Sequence, residues 1–93
     1  MQVECVFFGP FREAVGEKTI RFETDAKTIG GLLADLEAAY PELADRLVAP
    51  DGTGLAGDTV VTKDRTNVTH LDGLETAVDT DAVIRLVPSV YGG

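Results

Sequence analysis

The sequence predicts an α+β domain, a mixed sheet of four to five strands packed on one main α-helix. Three observations predict it. Short segments of alternating character stand near both ends, "QVECVFFG" at 2–9 and "AVIRLVPSV" at 82–90, the period-2 signature of strands. Between them a single segment, "TIGGLLADLEAAY" at 28–40, keeps the helical period. The 93 residues, 44% of them hydrophobic, suit one domain able to bury roughly 60–65% of the surface its unfolded chain exposes.

In order along the chain, β1 is expected in "QVECVFFG", with Val3, Cys5 and Phe7 on one face and Glu4, Val6 and Phe8 on the other. "GPFREAVGEK" supplies Gly9, Pro10 and Gly16 as turn material, and "TIRFET" gives a second strand that makes an antiparallel hairpin with the first. Thr28 caps the helix, whose stripe is Ile29, Leu32, Leu33, Leu36 and Tyr40, and Pro41 stops it. Gly30 and Gly31 weaken its first turn, by roughly 1 kcal/mol each relative to alanine. "PELADRLV" reads as a short helical turn with Leu43 and Leu47 inward. "APDGTGLAGD" is a loop, "TVVTKD" and "NVTH" are short strands, "LDGLET" is a turn or a single helical turn, and "AVIRLVPSV" is the last strand. One helix covers one face of such a sheet. With Val3, Cys5, Phe7, Ile84 and Leu86 inside, Val6, Phe8 and Val87 are left on the open face, an exposed aromatic patch among polar residues.

Sixteen acidic residues against eight basic ones give a formal charge of −8, and no segment clusters Lys and Arg, so nucleic acid is not an expected partner. The acids are spread along the chain, as on a solvated surface or one adapted to a salty cytoplasm. The first twenty residues hold Glu4, Arg12 and Glu13 and resemble neither a signal peptide nor a membrane span. The lone Cys5 offers no internal disulfide and suits a reducing, cytoplasmic setting.

The body offers no catalytic apparatus to the reader of its residues. "GTGLAG" matches G-x-G-x-x-G at Gly52, Gly54 and Gly57, yet the run after it, "TVVT", is strand material, so the helix N-terminus that a pyrophosphate needs is missing. His70 is the only histidine and has no Cys or second His at metal-ligand spacing. No metal site and no catalytic pair are therefore expected, and Cys5 reads as a small inward hydrophobe.

The remaining signal is the closing "PSVYGG". Together, "VECVFFGPFREAVGEK", "TIGGLLADLEAAYPEL", "HLDGLET" and "AVIRLVPSVYGG" resemble the ubiquitin-like β-grasp family. Within it the chain is most similar to the MoaD-like branch, the sulfur-carrying small subunit of molybdopterin synthase and the related small archaeal modifier proteins. The acidic, lysine-poor composition favours the modifier branch. Ser89 stands where the family often has a second proline, and "KDRTN" replaces a frequent Asn-Gly turn.

The resemblance implies a β-grasp domain over 1–88 and a C-terminal tail over 89–93. It implies that the Gly93 carboxylate, behind Gly92, is activated by a separate adenylating enzyme that uses ATP and Mg; the chain itself binds no cofactor, is not an enzyme and is monomeric. Two fates follow: conjugation to lysines of target proteins, or a thiocarboxylate that donates sulfur for molybdopterin or tRNA, with the molybdopterin synthase large subunit as partner. Lys18, Lys27 and Lys63 are candidate acceptors of a second copy. Ordering Ser89 to Gly93 costs about 5–10 kcal/mol at roughly 1–2 per residue. Burying about 300 Å² of apolar surface returns about 7–8 kcal/mol. A docking surface of Phe8, Val87 and Val6 is therefore expected to work together with the tail.

Overall fold

A computed structural model describes residues 1–57 and 59–88. The strands are β1 (Gln2–Phe7), β2 (Thr19–Glu23), β3 (Thr59–Lys63), β4 (Thr66–Asn67) and β5 (Val83–Pro88), and the helices are α1 (Pro10–Val15) and α2 (Ile29–Ala39). They form one five-stranded sheet of order β2-β1-β5-β3-β4. β1 and β5 run parallel at its centre, while β1 with β2, β5 with β3 and β3 with β4 are antiparallel.

Helix α2 forms where its sequence period places it. Thr28 Oγ1 accepts from Gly31 N at 3.2 Å, which satisfies one of the helix's free amides. Ile29, Leu32, Leu33 and Leu36 are fully buried against Val3, Cys5, Phe7, Val61, Ile84 and Leu86. Gly30 has a packing reason: a Cβ there would meet Leu74 Cβ and its carbonyl oxygen, both at 3.2 Å. After α2 the chain turns through Pro41–Leu43, and Leu43 and Leu47 complete the core. Glu37 holds this return, its Oε2 accepting from Leu47 N and Val48 N at 3.1 Å each.

Two local expectations are corrected. The stretch read as turn material contains α1, a six-residue helix whose Phe11 is buried, so the sheet's inner face is covered by two helices. Pro10 starts it and Gly16, at φ 90°, ends it while donating its N–H to Arg12 O at 2.8 Å; a proline at entry and a left-handed glycine at exit are helix boundaries as much as turn residues. The "NVTH" strand is confined to Thr66–Asn67, because Val68–His70 winds into a 3₁₀ turn with Asn67 Oδ1 accepting from Thr69 N at 2.9 Å. "LDGLET" holds the single helical turn expected of it, a 3₁₀ turn at Gly73–Glu75.

The β3–β4 hairpin closes with two residues, since Lys63 faces Thr66. Asp64 and Arg65 take φ 48° and 80°, the handedness that a two-residue hairpin demands and glycine or asparagine usually supplies. Asp64 is tied to β5 by a reciprocal pair, its N donating to Val83 O and its Oδ1 accepting from Val83 N, both at 2.9 Å. Arg65 has no such bond among the described residues.

Two outcomes follow for thermal or urea unfolding. Leu36→Ala is expected to cost about 2–5 kcal/mol, as a fully buried leucine at the sheet–helix interface. Arg65→Gly is expected to raise stability by about 1 kcal/mol, because it removes a left-handed non-glycine residue; a destabilised Arg65→Gly would refute strain at that turn.

Candidate functional site

The alternation that buries Val3, Cys5 and Phe7 turns Glu4, Val6 and Phe8 to the opposite face of the sheet, which neither α1 nor α2 covers. Register sets the rows on that face. Val6 on β1 faces Arg85 on β5, which faces Thr62 on β3. One row further, Val87 faces Val60, and Phe8, whose N donates to Leu86 O at 3.2 Å, lies beside them.

The three predicted docking residues therefore share one face, but they are not equally open. Phe8 and Val87 are half-buried, where an exposed phenylalanine is expected from the sequence, and Lys18 Nζ lies 5.9 Å from the centre of the Phe8 ring. Val6 is buried, with 7% of its surface accessible. A short side chain between Thr19 on one side and the long Arg85 on the other is shadowed by them. Val60 belongs to the patch and was missed in sequence reading, which assigned β3 no inward or outward parity; its alternation with the buried Val61 carried the signal.

Arg85 shares this face, as the alternation of β5 with Ile84 and Leu86 inward implies. Its Nη1 is buried without a hydrogen-bond partner, and so is Thr62 Oγ1 on the facing residue. Two other cations of the described chain pair with acids, Arg21 with Asp81 at 2.6 Å and Lys63 with Asp79 at 2.9 Å.

Gly92 and Gly93, with Ser89 and Tyr91, lie outside the described residues, as does the boundary proposed at 89. The candidate lysines are dispersed. Lys63 is engaged with Asp79 and its side chain is only 16% exposed; Lys18 leans over Phe8; Lys27 is exposed before α2.

The other sequence signals stay apart from this face. Cys5 is fully buried in the core, and burial, with the charge of Glu4 adding to it, pushes its thiol up to about 12. The "GTGLAG" loop is pinned by a bridge between Val48 and Leu55 and runs to β3, with no helix behind it. It shares with Thr69 and Gly73–Glu75 a surface depression of about 490 Å³. His70 is exposed. Among the described residues no group of His, Cys, Asp and Glu could hold a metal ion, and no helix is long and apolar enough to cross a membrane.

A mixed five-stranded sheet with parallel central strands, grasping one main helix, defines a protein of the ubiquitin-like β-grasp class. The model of the ThiS family matches residues 5–93, and the chain belongs to that family. Small archaeal modifier protein 3 of Haloferax volcanii is 43% identical over 95 residues, spanning 100% of both chains. The crystal structure of SAMP1 from Haloferax volcanii superposes with a TM-score of 0.81 at 28% identity, covering 100% of each chain. The Amycolatopsis orientalis BexX/CysO complex contains a chain that matches with a TM-score of 0.81 at 25% identity, covering 98% of this chain and 99% of that one. The chain is thus a homologue of small archaeal modifier proteins.

The Cys5 thiol yields a prediction with a definite sign. An unfolded thiol ionises near its ordinary value of 9, the folded one near 12, so the folded state holds the extra proton between them. Stability contributed by Cys5 is complete below pH 9 and is lost as pH rises from 9 towards 12. Ellman's reagent at pH 8 should leave the folded protein unmodified and titrate one thiol in denaturant; rapid reaction of the native protein would contradict the burial.

Proposed function

We propose that this chain is a ubiquitin-like protein modifier whose Gly93 carboxylate is adenylated by a separate ATP-dependent enzyme and then joined to lysines of target proteins. The observation that carries the reading is the row Phe8–Val87–Val60 on the uncovered face, beside the end of β5 at Pro88, where the sequence continues into "SVYGG". The body offers a surface to dock, and the last residues offer a group to activate.

The chemistry needs both. A carboxylate is a poor electrophile, because expelling an oxide leaving group is unfavourable. When a carboxylate oxygen attacks the α-phosphorus of ATP, pyrophosphate leaves and the acyl-adenylate forms. A lysine amine can then attack the acyl carbon, expelling AMP and forming an isopeptide bond. Reaching the nucleotide means threading a narrow passage, and glycine at 92 and 93 lets another backbone approach closely because it has no Cβ. Docking offsets the ordering cost of the tail. The reaction is placed in the cytoplasm, where ATP is available.

Kinship with small archaeal modifier protein 3 supports the modifier reading. A CysO solved in a complex with BexX supports partner docking by this fold.

The test is ATP–pyrophosphate exchange with the adenylating enzyme of the same organism. Deleting Gly92 and Gly93 is expected to abolish exchange. Phe8→Ala is expected to raise the KM for this protein about tenfold or more, as loss of an aromatic anchor does, with the melting temperature little changed. In cells, peptides carrying a C-terminal remnant on lysine should appear only when the protein is present. Intact-mass oxygen-to-sulfur exchange without such peptides would instead establish a sulfur carrier, and full function of the shortened protein would sink both readings.

A further inference from the structure

We propose that Arg85 selects the activating enzyme by pairing with a carboxylate that the enzyme presents among apolar side chains. This rests on the docking face proposed above and names what that face reads.

Arg85 stands on β5, the middle strand of the sheet, between Val6 and Thr62. Its outward position is dictated by the burial of Ile84 and Leu86 on either side of it. A guanidinium carries five donors in a planar fork, yet Arg85 Nη1 is buried without an acceptor, and the facing Thr62 Oγ1 is likewise unpartnered. Two cross-strand neighbours with unmet polar atoms make a local demand that nothing among the described residues meets.

The chain is rich in acids, and none is within ion-pair distance of this cation among the described residues. Asp81 is taken by Arg21 and Asp79 by Lys63. Glu4 stands one row away, facing Val83 rather than Arg85. Lys18, over Phe8, adds a second positive head beside the apolar row.

The patch is thus apolar with two cations, on a molecule of charge −8. A carboxylate set among apolar groups complements it, and a guanidinium receives a carboxylate through two parallel bonds. A second copy of this chain fits poorly, because a two-fold contact centred on this row would bring Arg85 against Arg85. On docking, the guanidinium turns out of the sheet surface and exchanges an unpaired burial for a paired one. An enzyme without the acid gains no such exchange.

Pyrophosphate exchange with the same organism's adenylating enzyme tests this, using Arg85→Glu, Arg85→Lys and Phe8→Ala, with thermal melting as the control for folding. Arg85→Glu should raise the KM for this protein about tenfold or more while kcat at saturation stays within about twofold. Arg85→Lys should fall between, since an ammonium keeps the charge and loses the fork. Reversing one acid on the enzyme's docking surface to lysine should restore Arg85→Glu. Arg85→Glu with the native KM beside an impaired Phe8→Ala would overturn the role of Arg85 and leave the docking face standing. Unchanged KM in both would overturn the docking face itself. A fall in kcat alone for Arg85→Glu would also overturn the pairing.

Discussion

The parallel pairing of β1 with β5 is the constraint on which the rest depends. It puts two strands that are distant in sequence side by side at the centre of the sheet, and parallel neighbours need a long crossover. That crossover carries α2, whose leucines meet Val3, Cys5, Phe7, Ile84 and Leu86. Because side chains alternate, burying Ile84 and Leu86 forces Val83, Arg85 and Val87 outward, and a slip of one residue would exchange the two sets. The composition of the open face is therefore a by-product of how the core is filled.

The same strand joins body to tail. β5 ends at Pro88, one residue past Val87, so a partner seated on the Phe8–Val87–Val60 row lies next to the point from which the last residues depart. This proximity makes docking useful to the chemistry: each residue of ordering cost is met when the body is already held. A chain of charge −8 sets Lys18 and Arg85 beside the apolar row, while Glu4 and Arg21 face each other further along the same face.

Much of the fold was legible because its periods are clean. The alternation in β1 and β5 and the stripe on α2 announced their buried faces, and Thr28 announced its cap. Helix α1 was hidden because six residues are too few to display a period, and its boundaries, Pro10 and Gly16, serve turns equally well. The shortness of β4 was hidden for another reason: Asn67 captures Thr69 N and diverts the backbone into a 3₁₀ turn, a local choice that competes with strand pairing.

The candidate site was legible in outline. Phe8 and Val87 follow from parity alone, but the burial of Val6 and the unmet Nη1 of Arg85 depend on cross-strand neighbours, and register cannot be read from one strand at a time. The terminal diglycine drew notice through resemblance, since glycine content by itself carries no chemistry. The most direct measurement is the change in backbone amide NMR shifts of the ¹⁵N-labelled protein when its adenylating enzyme is added. The account predicts perturbations at Val6, Phe8, Val60, Arg85 and Val87, continuous with those at Gly92 and Gly93, with the exposed side of α2 silent. Perturbations gathered on α2, with the open face silent, would contradict it.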